Sequence, residues 1–508
     1  VRVPASAYTD PALFELEKKQ IFRRLPLMVA PSCELPKPGD FKAMDICGVP
    51  LLLSRQKDGS MGAFLNMCTH RGNPLASGCG NASRFTCGYH GWTFKADGDL
   101  IGVADSKDFG QIDKSQHCLT KFPVYEAAGL IWVTLDPHSK LSIPDYLCGY
   151  DELLKAFEFD GWTLFSQRTL AGPNWKTAYD GYLDFYHLPV LHKDTFGADF
   201  YNRANYFAFG PHQRLSTPSK FAIKVQGDDD QALDLEAMSD DQLPQEVLVQ
   251  GVWTIFPHIS IASFYGGGQR GALISQLFPG TDVGTSYTTQ FYVMENQPET
   301  PEQVQAAHDQ FNFLEIVVRD EDYATGKRQH QALQSGLMKE VLFGRNEKGG
   351  QVFHQWAERL TRASDEELVQ IFAQEQRQAA HAQHTGSIPH HRPVEAPGPV
   401  RATERAWRVH ALAAGQAEHV LQREDGQVGH RVERGADHRP VHIVRATSQV
   451  AAGEGAFARA GRLPPAAHRV VVVGAGVGHA GTRPHMRQKL VLPVAAEADL
   501  QDLHAGEA

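Results

Sequence analysis

The sequence is poor in several features that mark particular classes of protein. Lys and Arg number 49 against 59 Asp and Glu, so the 508-residue chain has a net charge of -10 and no basic excess for nucleic acid or an anionic membrane. No apolar run approaches the length of a membrane span, and the N-terminus lacks the basic-then-apolar pattern of a secretory signal. Five of the seven cysteines are scattered without a disulfide framework: Cys33, Cys47, Cys79, Cys118 and Cys148. We therefore expect a cytoplasmic protein without a nucleic-acid or membrane partner.

Large apolar side chains are scarce in the tail of the chain, residues 391–508. The tail has no Tyr, Cys or Asn, one Ile and one Phe, and 14 Arg against one Lys, whereas residues 1–390 have 16 Arg and 18 Lys. Such a segment cannot bury enough apolar surface to offset the entropy of ordering its chain. We expect it to be either disordered or non-native, the latter as the product of a frameshift, a read-through or a gene assembly.

Two short segments carry cysteine and histidine in the spacings C-x-H and C-x-x-H. The first holds Cys68 and His70, and the second holds Cys87 and His90. Two thiolates on one iron and two imidazoles on the other are the ligands of a Rieske [2Fe-2S] cluster, a one-electron relay. A structural zinc site uses the same residue types. The Gly-Trp-Thr-Phe run after His90 favours the cluster, since a zinc site has no need of it.

A second group of acids and histidines lies further along the chain, at Asp184, His187 and His192. Asp184 and His187 are three residues apart, which predicts that they share a helix face. His192 follows His187 by five residues, about 140° around an ideal helix, and Pro189 between them can break the helix so that both reach one ion. Two histidines and a carboxylate form the facial triad of non-haem iron sites. Two ordinary helix histidines are the alternative, and the cysteine–histidine pattern upstream favours iron.

These segments resemble the large (alpha) subunit of Rieske non-haem iron aromatic-ring-hydroxylating oxygenases, over about residues 8–374. The resemblance implies a [2Fe-2S] cluster on the first pattern, a mononuclear Fe(II) on His187 and His192, and a catalytic role for Asp184. In this family the residue at Asp184 bridges to a Rieske histidine of the neighbouring subunit. The third iron ligand of the family is an Asp on a late helix, which corresponds to Asp322, with Asp320 as the rival. Acids in a row could also be an ordinary solvated helix face.

The resemblance implies a function as well. It predicts a terminal oxygenase component that receives NAD(P)H electrons from a reductase, with or without a ferredoxin, and uses O₂ to mono- or dihydroxylate a small aromatic substrate. It also predicts a homotrimer, with or without a β subunit. Two alternatives stay open. One is a Rieske monooxygenase or demethylase that acts on a non-arene substrate, and the other is a Rieske electron carrier with a vestigial second site.

The expected fold class is α+β. Residues 1–26 are predicted to form an N-terminal helix on the catalytic domain, and residues 27–140 a small all-β Rieske domain punctuated by Gly-containing turns. Residues 150–385 are predicted to form an α+β catalytic domain with an antiparallel sheet of the helix-grip type, followed by the tail 391–508.

Local signals place several elements within these domains. Thr9 or Asp10 can cap a helix that begins at Pro11, and Thr300 can start a long helix over 301–333. Three segments have the pattern of neighbouring antiparallel strands: 252–263, 271–278 and 286–293.

Overall fold

The computed structural model describes four stretches of the chain: residues 1–197, 205–216, 251–266 and 269–384. They fall within one unit of the chain, Val1–His419. The tail 391–508 lies outside the described residues, and its predicted disorder stays a prediction. None of the helices described is both long enough and apolar enough to cross a lipid bilayer.

The N-terminal segment, residues 1–22, starts with a strand and continues as short helices. Its elements are β1 (Arg2–Pro4), α1 (Ser6–Thr9), α2 (Pro11–Glu17) and a π-helical turn (Lys18–Phe22). Asp10 rather than Thr9 caps α2, since its carboxylate accepts the N–H of Ala12 at 2.8 Å. Pro11 takes the first helical position, where no N–H is needed.

Ten short strands follow and form three small antiparallel sheets. The strands are β2 (Pro26–Pro31), β3 (Asp40–Ile46), β4 (Val49–Arg55), β5 (Met61–Leu65), β6 (Cys79–Asn81), β7 (Arg84–Thr86), β8 (Thr93–Lys95), β9 (Leu100–Gly102), β10 (Val124–Ala127) and β11 (Leu130–Thr134). The strand orders are β10-β11-β2, β5-β4-β3-β6 and β7-β8-β9. Helical turns here are short: Ser32–Glu34, α3 (Ser106–Phe109) and Lys114–His117.

The longer helices lie in the second half of the described residues. The helices after β11 are α4 (Ile143–Leu147), α5 (Tyr150–Leu154), α6 (Trp175–Tyr182), α7 (Leu188–Leu191), α8 (Pro301–Ile316), α9 (Ala324–Gln334), α10 (Lys348–Arg362) and α11 (Asp365–His384). A π-helical turn, Val317–Tyr323, joins α8 to α9, so the predicted helix over 301–333 is confirmed. Thr300 and Gln303 form its capping box, with the Thr300 hydroxyl accepting the N–H of Gln303 at 3.3 Å.

A seven-stranded antiparallel sheet is the centre of this second region. Its strands are β12 (Thr163–Gly172), β13 (Asn205–Phe209), β14 (His212–Ser216), β15 (Val252–Ile255), β16 (Ile259–Gly266), β17 (Gln269–Pro279) and β18 (Ser286–Met294), in the order β12-β18-β17-β16-β15-β14-β13. The predicted strands 271–278 and 286–293 lie within β17 and β18. The prediction of a single strand over 252–263 was wrong, because the chain turns between β15 and β16, where Pro257 has no N–H for a strand ladder. β19 (Glu340–Leu342) lies apart and pairs with β1.

Helices pack on the sheet and position the candidate site. The run from α8 to α9 lies along β12 and β18, where Arg168 donates to Glu315 at 3.0 Å and Tyr323 lies 2.5 Å from Thr288, hydroxyl to hydroxyl. α6 packs on β17 and β18, and its Tyr179 hydroxyl donates to the C=O of Ile259, the first residue of β16, at 3.2 Å. The predicted α+β class with a helix-gripped antiparallel sheet is confirmed, whereas the domain boundaries stay a prediction.

Candidate metal centres

The four predicted cluster ligands lie in two loops that close in the same way. The N–H of Gly72 donates to the C=O of Cys68 at 2.9 Å, and the N–H of Gly91 donates to the C=O of Cys87 at 3.0 Å. Both glycines have a positive φ, 82° and 69°, a conformation that L side chains rarely adopt. Each loop therefore turns back four residues after its cysteine.

The ligands divide between a buried end and a surface end. Cys68 and Cys87 are buried in a small apolar cluster that includes Trp92. His70 and His90 are only half-buried, and their ring centroids lie 4.7 Å apart. This donor set fits a Rieske cluster, in which thiolates hold the inner iron and imidazoles hold the outer one.

Aromatic side chains surround the two histidines. Trp92 stacks on His70 with ring centroids 4.9 Å apart and an angle of 10°, and Phe109 meets the same imidazole edge-on at 5.4 Å. The ring centroids of Tyr89 and His90 lie 3.7 Å apart. Tyr89 and Phe109 are both exposed, so the outer end of the cluster site has an aromatic rim at the protein surface.

The second group of predicted ligands lies in the connection between α6 and α7. The prediction that Asp184 and His187 share a helix face was wrong, because α6 ends at Tyr182 and α7 begins after His187. Pro189 does not break a helix either; it lies in the first turn of α7, where its missing N–H costs nothing. Asp184 instead stabilises a turn, because its carboxylate accepts the N–H of Tyr186 at 2.5 Å.

Three donor atoms converge at this connection. The Nε2 atoms of His187 and His192 are 3.2 Å apart, and Oδ1 of Asp322 lies 3.5 Å from the first and 3.1 Å from the second. A point within about 2 Å of all three atoms therefore exists, and that is the usual length of metal bonds to imidazole and carboxylate. Three donors on one side of such an ion would leave its other positions open, which suits a non-haem iron.

The acidic residues Asp320 and Asp322 of the long helix point in different directions. Asp322 faces the two histidines, whereas Asp320 forms a two-point ion pair with Arg319, both contacts 2.8 Å long, on the exposed side. Both acids lie in the π-helical turn Val317–Tyr323, a local widening often found at functional sites. The structure thus brings Asp322 rather than Asp320 to the histidines, and its role as a ligand stays a prediction.

Each of the two histidines also meets a carboxylate at its other ring nitrogen. Nδ1 of His187 lies 3.2 Å from Asp184, and Nδ1 of His192 lies 2.7 Å from Glu321. Glu321 is held in turn by the Thr195 hydroxyl at 3.1 Å. Such partners fix which nitrogen faces the metal. Glu321 was missed in the sequence, where it is simply the middle acid of three, because only the tertiary contact with His192 distinguishes it.

The charges around the site match this assignment. Burial lowers the pKa of His187, but hydrogen bonds to Asp184 and Asp322 outweigh it and raise that pKa to about 9. Burial raises the pKa of Asp322, but its contacts with the two histidines bring that pKa below its usual value. The carboxylate is thus ready to bind a cation, and a metal would displace a proton from His187.

Two family descriptions match the chain over these regions. Residues 26–123 match the Rieske [2Fe-2S] domain, and residues 159–363 match the catalytic domain of the ring hydroxylating alpha subunit. Together the matches cover more than half of the chain. The chain belongs to the family of Rieske oxygenase large subunits. The cofactors of this family are a Rieske [2Fe-2S] cluster and a mononuclear Fe(II), and the zinc alternative for the first pattern is set aside.

Relatives of this Rieske oxygenase chain include proteins with different substrates. It is 32% identical to the carnitine monooxygenase oxygenase subunit of Escherichia coli (strain K12), over 45% of this chain and 63% of the relative. It is 32% identical to the anthranilate 1,2-dioxygenase large subunit of Acinetobacter baylyi, over 38% of this chain and 42% of the relative. The chain thus spans less than two thirds of these relatives' length.

Solved structures share the fold. The quaternary ammonium Rieske monooxygenase CntA in complex with an inhibitor has a TM-score of 0.59 at 23% identity, covering 71% of this chain and 95% of its own. Naphthalene 1,2-dioxygenase from Rhodococcus sp. has a TM-score of 0.58 at 20% identity, covering 71% of this chain and 94% of its own.

Proposed function

We propose that this chain is the terminal oxygenase component of a Rieske oxygenase system. The observation that carries the proposal is the convergence of His187, His192 and Asp322 on one point. An electron carrier with a vestigial second site would have no reason to keep three ligand atoms at these distances, each histidine backed by its own carboxylate. With iron bound there, the metal would supply O₂ activation with electrons from the cluster.

The side chains of the chain have three tasks in this proposal. His187, His192 and Asp322 would bind the ion and leave some of its positions free for substrate and O₂. Asp184 and Glu321 accept hydrogen bonds from the Nδ1 atoms, which would turn each Nε2 toward the metal. Cys68 and Cys87, which are both buried, would hold one iron of the cluster away from water.

Electron transfer between the two centres is proposed to occur between two copies of the chain. The hydrogen bonds of Asp184 described here go to Tyr186 and His187 of its own segment, and its side chain is about one-fifth exposed. His90 lies at the surface of the Rieske region. A head-to-tail homotrimer would place His90 of one copy beside Asp184 of the next. A reductase, with or without a ferredoxin, is the proposed electron donor, and the homotrimer is proposed with or without a β subunit. The cytoplasmic location stays a prediction.

Two substrate classes are candidates for this oxygenase. Aromatic hydroxylation, mono- or di-, is the first candidate, in keeping with the ring-hydroxylating catalytic domain and with relatives such as anthranilate and chlorobenzene dioxygenases. Monooxygenation or demethylation of a quaternary ammonium compound is the second candidate. Relatives named as carnitine and glycine betaine monooxygenases favour it.

A reconstituted assay tests both candidates. The full chain would be loaded with cluster and Fe(II), supplied with NADH and a broad-specificity Rieske reductase, and offered aromatic acids, arenes, carnitine and glycine betaine. We expect O₂-dependent product from one class and one iron per chain beyond the two of the cluster. Cluster reduction without product on any substrate, together with no iron beyond the cluster, would favour the electron carrier instead. A His187→Ala variant, with the cluster intact, is the matched control.

A further inference from the structure

Three polar side chains from distant parts of the chain meet behind the segment that carries Asp184. Tyr8 belongs to α1, Asp180 to the last turn of α6 and His354 to α10. The Tyr8 hydroxyl donates to Oδ2 of Asp180 at 2.7 Å. Nε2 of His354 lies 2.9 Å from Oδ1 of Asp180 and 2.8 Å from the Tyr8 oxygen. Each member contacts the other two, and Tyr8 and His354 are buried. We call this group the Asp180 cluster.

The contacts fix where the protons of the Asp180 cluster lie. Burial and the negative charge of Asp180 raise the pKa of Tyr8 well above its usual value, so the phenol keeps its proton and donates it to the carboxylate. Nε2 of His354 faces two oxygens that act as acceptors, which makes it the protonated ring nitrogen. Asp180 therefore accepts hydrogen bonds from two elements outside its own helix.

The Asp180 cluster lies where α6 gives way to the connection that carries the candidate iron ligands. The C=O of Asp180 accepts the N–H of Leu183 at 3.0 Å, one residue before Asp184. α10 approaches the same point with its backbone at Gly349, where an added Cβ would lie 2.5 Å from the carbonyl oxygen of Leu183. Leu183, the residue before Asp184, therefore contacts both the end of α6 and the start of α10.

The N-terminal segment also forms buried polar contacts with the other end of α6. Glu17 of α2 forms an ion pair with Lys176 and accepts the indole N–H of Trp175 at 2.9 Å, in the first turn of the helix. Glu17 and Lys176 are both buried. Because α6 is fixed at both of its ends by the N-terminal segment, it cannot slide along its axis without breaking a buried polar contact.

We propose that Tyr8 and His354 are positioning residues for Asp184 and act through Asp180. The inference rests on the proposed function, in which Asp184 orients His187 and faces a cluster histidine of a second copy. Fixing the end of α6 sets the direction of the Asp184 carboxylate, and its 3.2 Å contact with Nδ1 of His187 passes that direction to the candidate iron ligand. Loss of such outer contacts typically weakens metal binding by about 10–100-fold.

A double-mutant cycle on metal affinity tests this route. The full chain, with its cluster intact and its mononuclear site emptied, would be dialysed against Co(II) and analysed for bound metal. We expect Tyr8→Phe and Asp184→Asn each to raise the Kd for Co(II) about tenfold, and the double variant to be no worse than either single variant. Additive effects, or no effect of either change, would overturn the proposal.

The chain offers a matched control. Tyr125 of β10 donates to Asp151 of α5 at 3.0 Å, and Asp151 is buried, so Tyr125→Phe removes the same kind of hydrogen bond elsewhere. We expect Tyr125→Phe to leave the Kd for Co(II) unchanged while lowering the melting temperature as much as Tyr8→Phe does. If both variants weaken Co(II) binding equally, the effect is one of general stability and the proposal fails.

A second pair of variants covers the case in which Tyr8→Phe does not fold. His354→Gln keeps an N–H donor near the position of Nε2, whereas His354→Leu removes it. We expect the His354→Gln variant to have a Kd for Co(II) closer to that of the unchanged protein than the His354→Leu variant has. Equal losses of Co(II) affinity in the two variants would contradict the proposal. Metal binding requires no turnover, so a lack of oxygenase activity would overturn the proposed function without altering this result.

Discussion

Nδ1 of His192 lies 2.7 Å from Oε2 of Glu321, and His192 is almost completely buried. This contact makes the middle acid of the run 320–322 the partner of one candidate ligand, while the next residue, Asp322, faces the metal position directly. Adjacent residues of one π-helical turn would thus serve the same ion in two ways, Asp322 as a ligand and Glu321 by orienting the ligand His192.

We expect Glu321→Gln to weaken Fe(II) binding at the mononuclear site by about 10–100-fold while leaving the cluster intact. The charge of the carboxylate is lost, and the amide can present its N–H₂ to Nδ1 instead of an acceptor. Iron analysis and the visible spectrum of the cluster measure the two effects separately. Asp320→Asn is the control, because Asp320 faces outward to Arg319. Equal iron loss in both variants would contradict the assigned role of Glu321.

We expect Asp184→Asn, loaded with excess Fe(II), to keep both metal centres but to lose turnover. Its carboxylate is not one of the three converging donors, yet it contacts His187 and lies partly exposed for a second copy. Dithionite should reduce the cluster normally, whereas product from a single turnover should vanish. Turnover at the rate of the unchanged protein would show that the bridging role is wrong.

We expect acid to destabilise the protein through His258. Its Nε2 accepts the N–H of Met28 at 3.2 Å, and burial lowers its pKa to about 3. In the unfolded chain a histidine titrates near about 6.5. Between these values only the unfolded state binds the proton, so this contribution to stability is complete above about pH 6.5 and is lost as pH falls, by up to about 1.4 kcal/mol per pH unit.

Urea unfolding at about pH 7 and about pH 5.5 measures this loss. His258→Gln, whose amide oxygen can still accept the N–H of Met28, should show a smaller drop between the two pH values. His308→Gln is the control, since His308 is exposed on α8. If His258→Gln and the unchanged protein lose stability equally, the proton is taken up elsewhere.

We expect truncation after residue 390 to leave iron content, melting temperature and activity unchanged. The tail has one Phe and one Ile among residues 391–508, which is too little apolar surface to form a core. The comparison is between the truncated and the full chain, prepared in the same way. A drop of several degrees, or failure to assemble, would show that the tail is a genuine domain.

Much of the candidate site was predictable because ligand chemistry restricts residue type and spacing. The C-x-H and C-x-x-H patterns, and the pair His187 and His192, are uncommon enough to stand out without any structure. Choosing Asp322 over Asp320 was harder, since both lie on one helix and helical periodicity alone does not say which way a π-helical turn faces. Glu321 was out of reach, because its partner His192 is far away in sequence.

The errors in secondary structure have local causes. Asp184 and His187 have the spacing of a helix face, yet the Asp184 carboxylate binds the N–H of Tyr186 and favours a turn over a helix. Residues 252–263 are rich in strand-forming side chains, but Pro257 lies among them and was the signal for a turn. In both cases a single residue outweighed the pattern of the whole segment.

The π-helical turn Val317–Tyr323 makes the third candidate ligand depend on the length of the chain as well as on its residue types. A π turn holds one residue more than an α turn. If the same residues were wound as a regular α-helix, Asp322 would take a position about 100° further around the axis, and its carboxylate would point away from the two histidines. The residue type at position 322 is therefore not enough by itself to give the histidine pair its acid; the wide turn must also be kept.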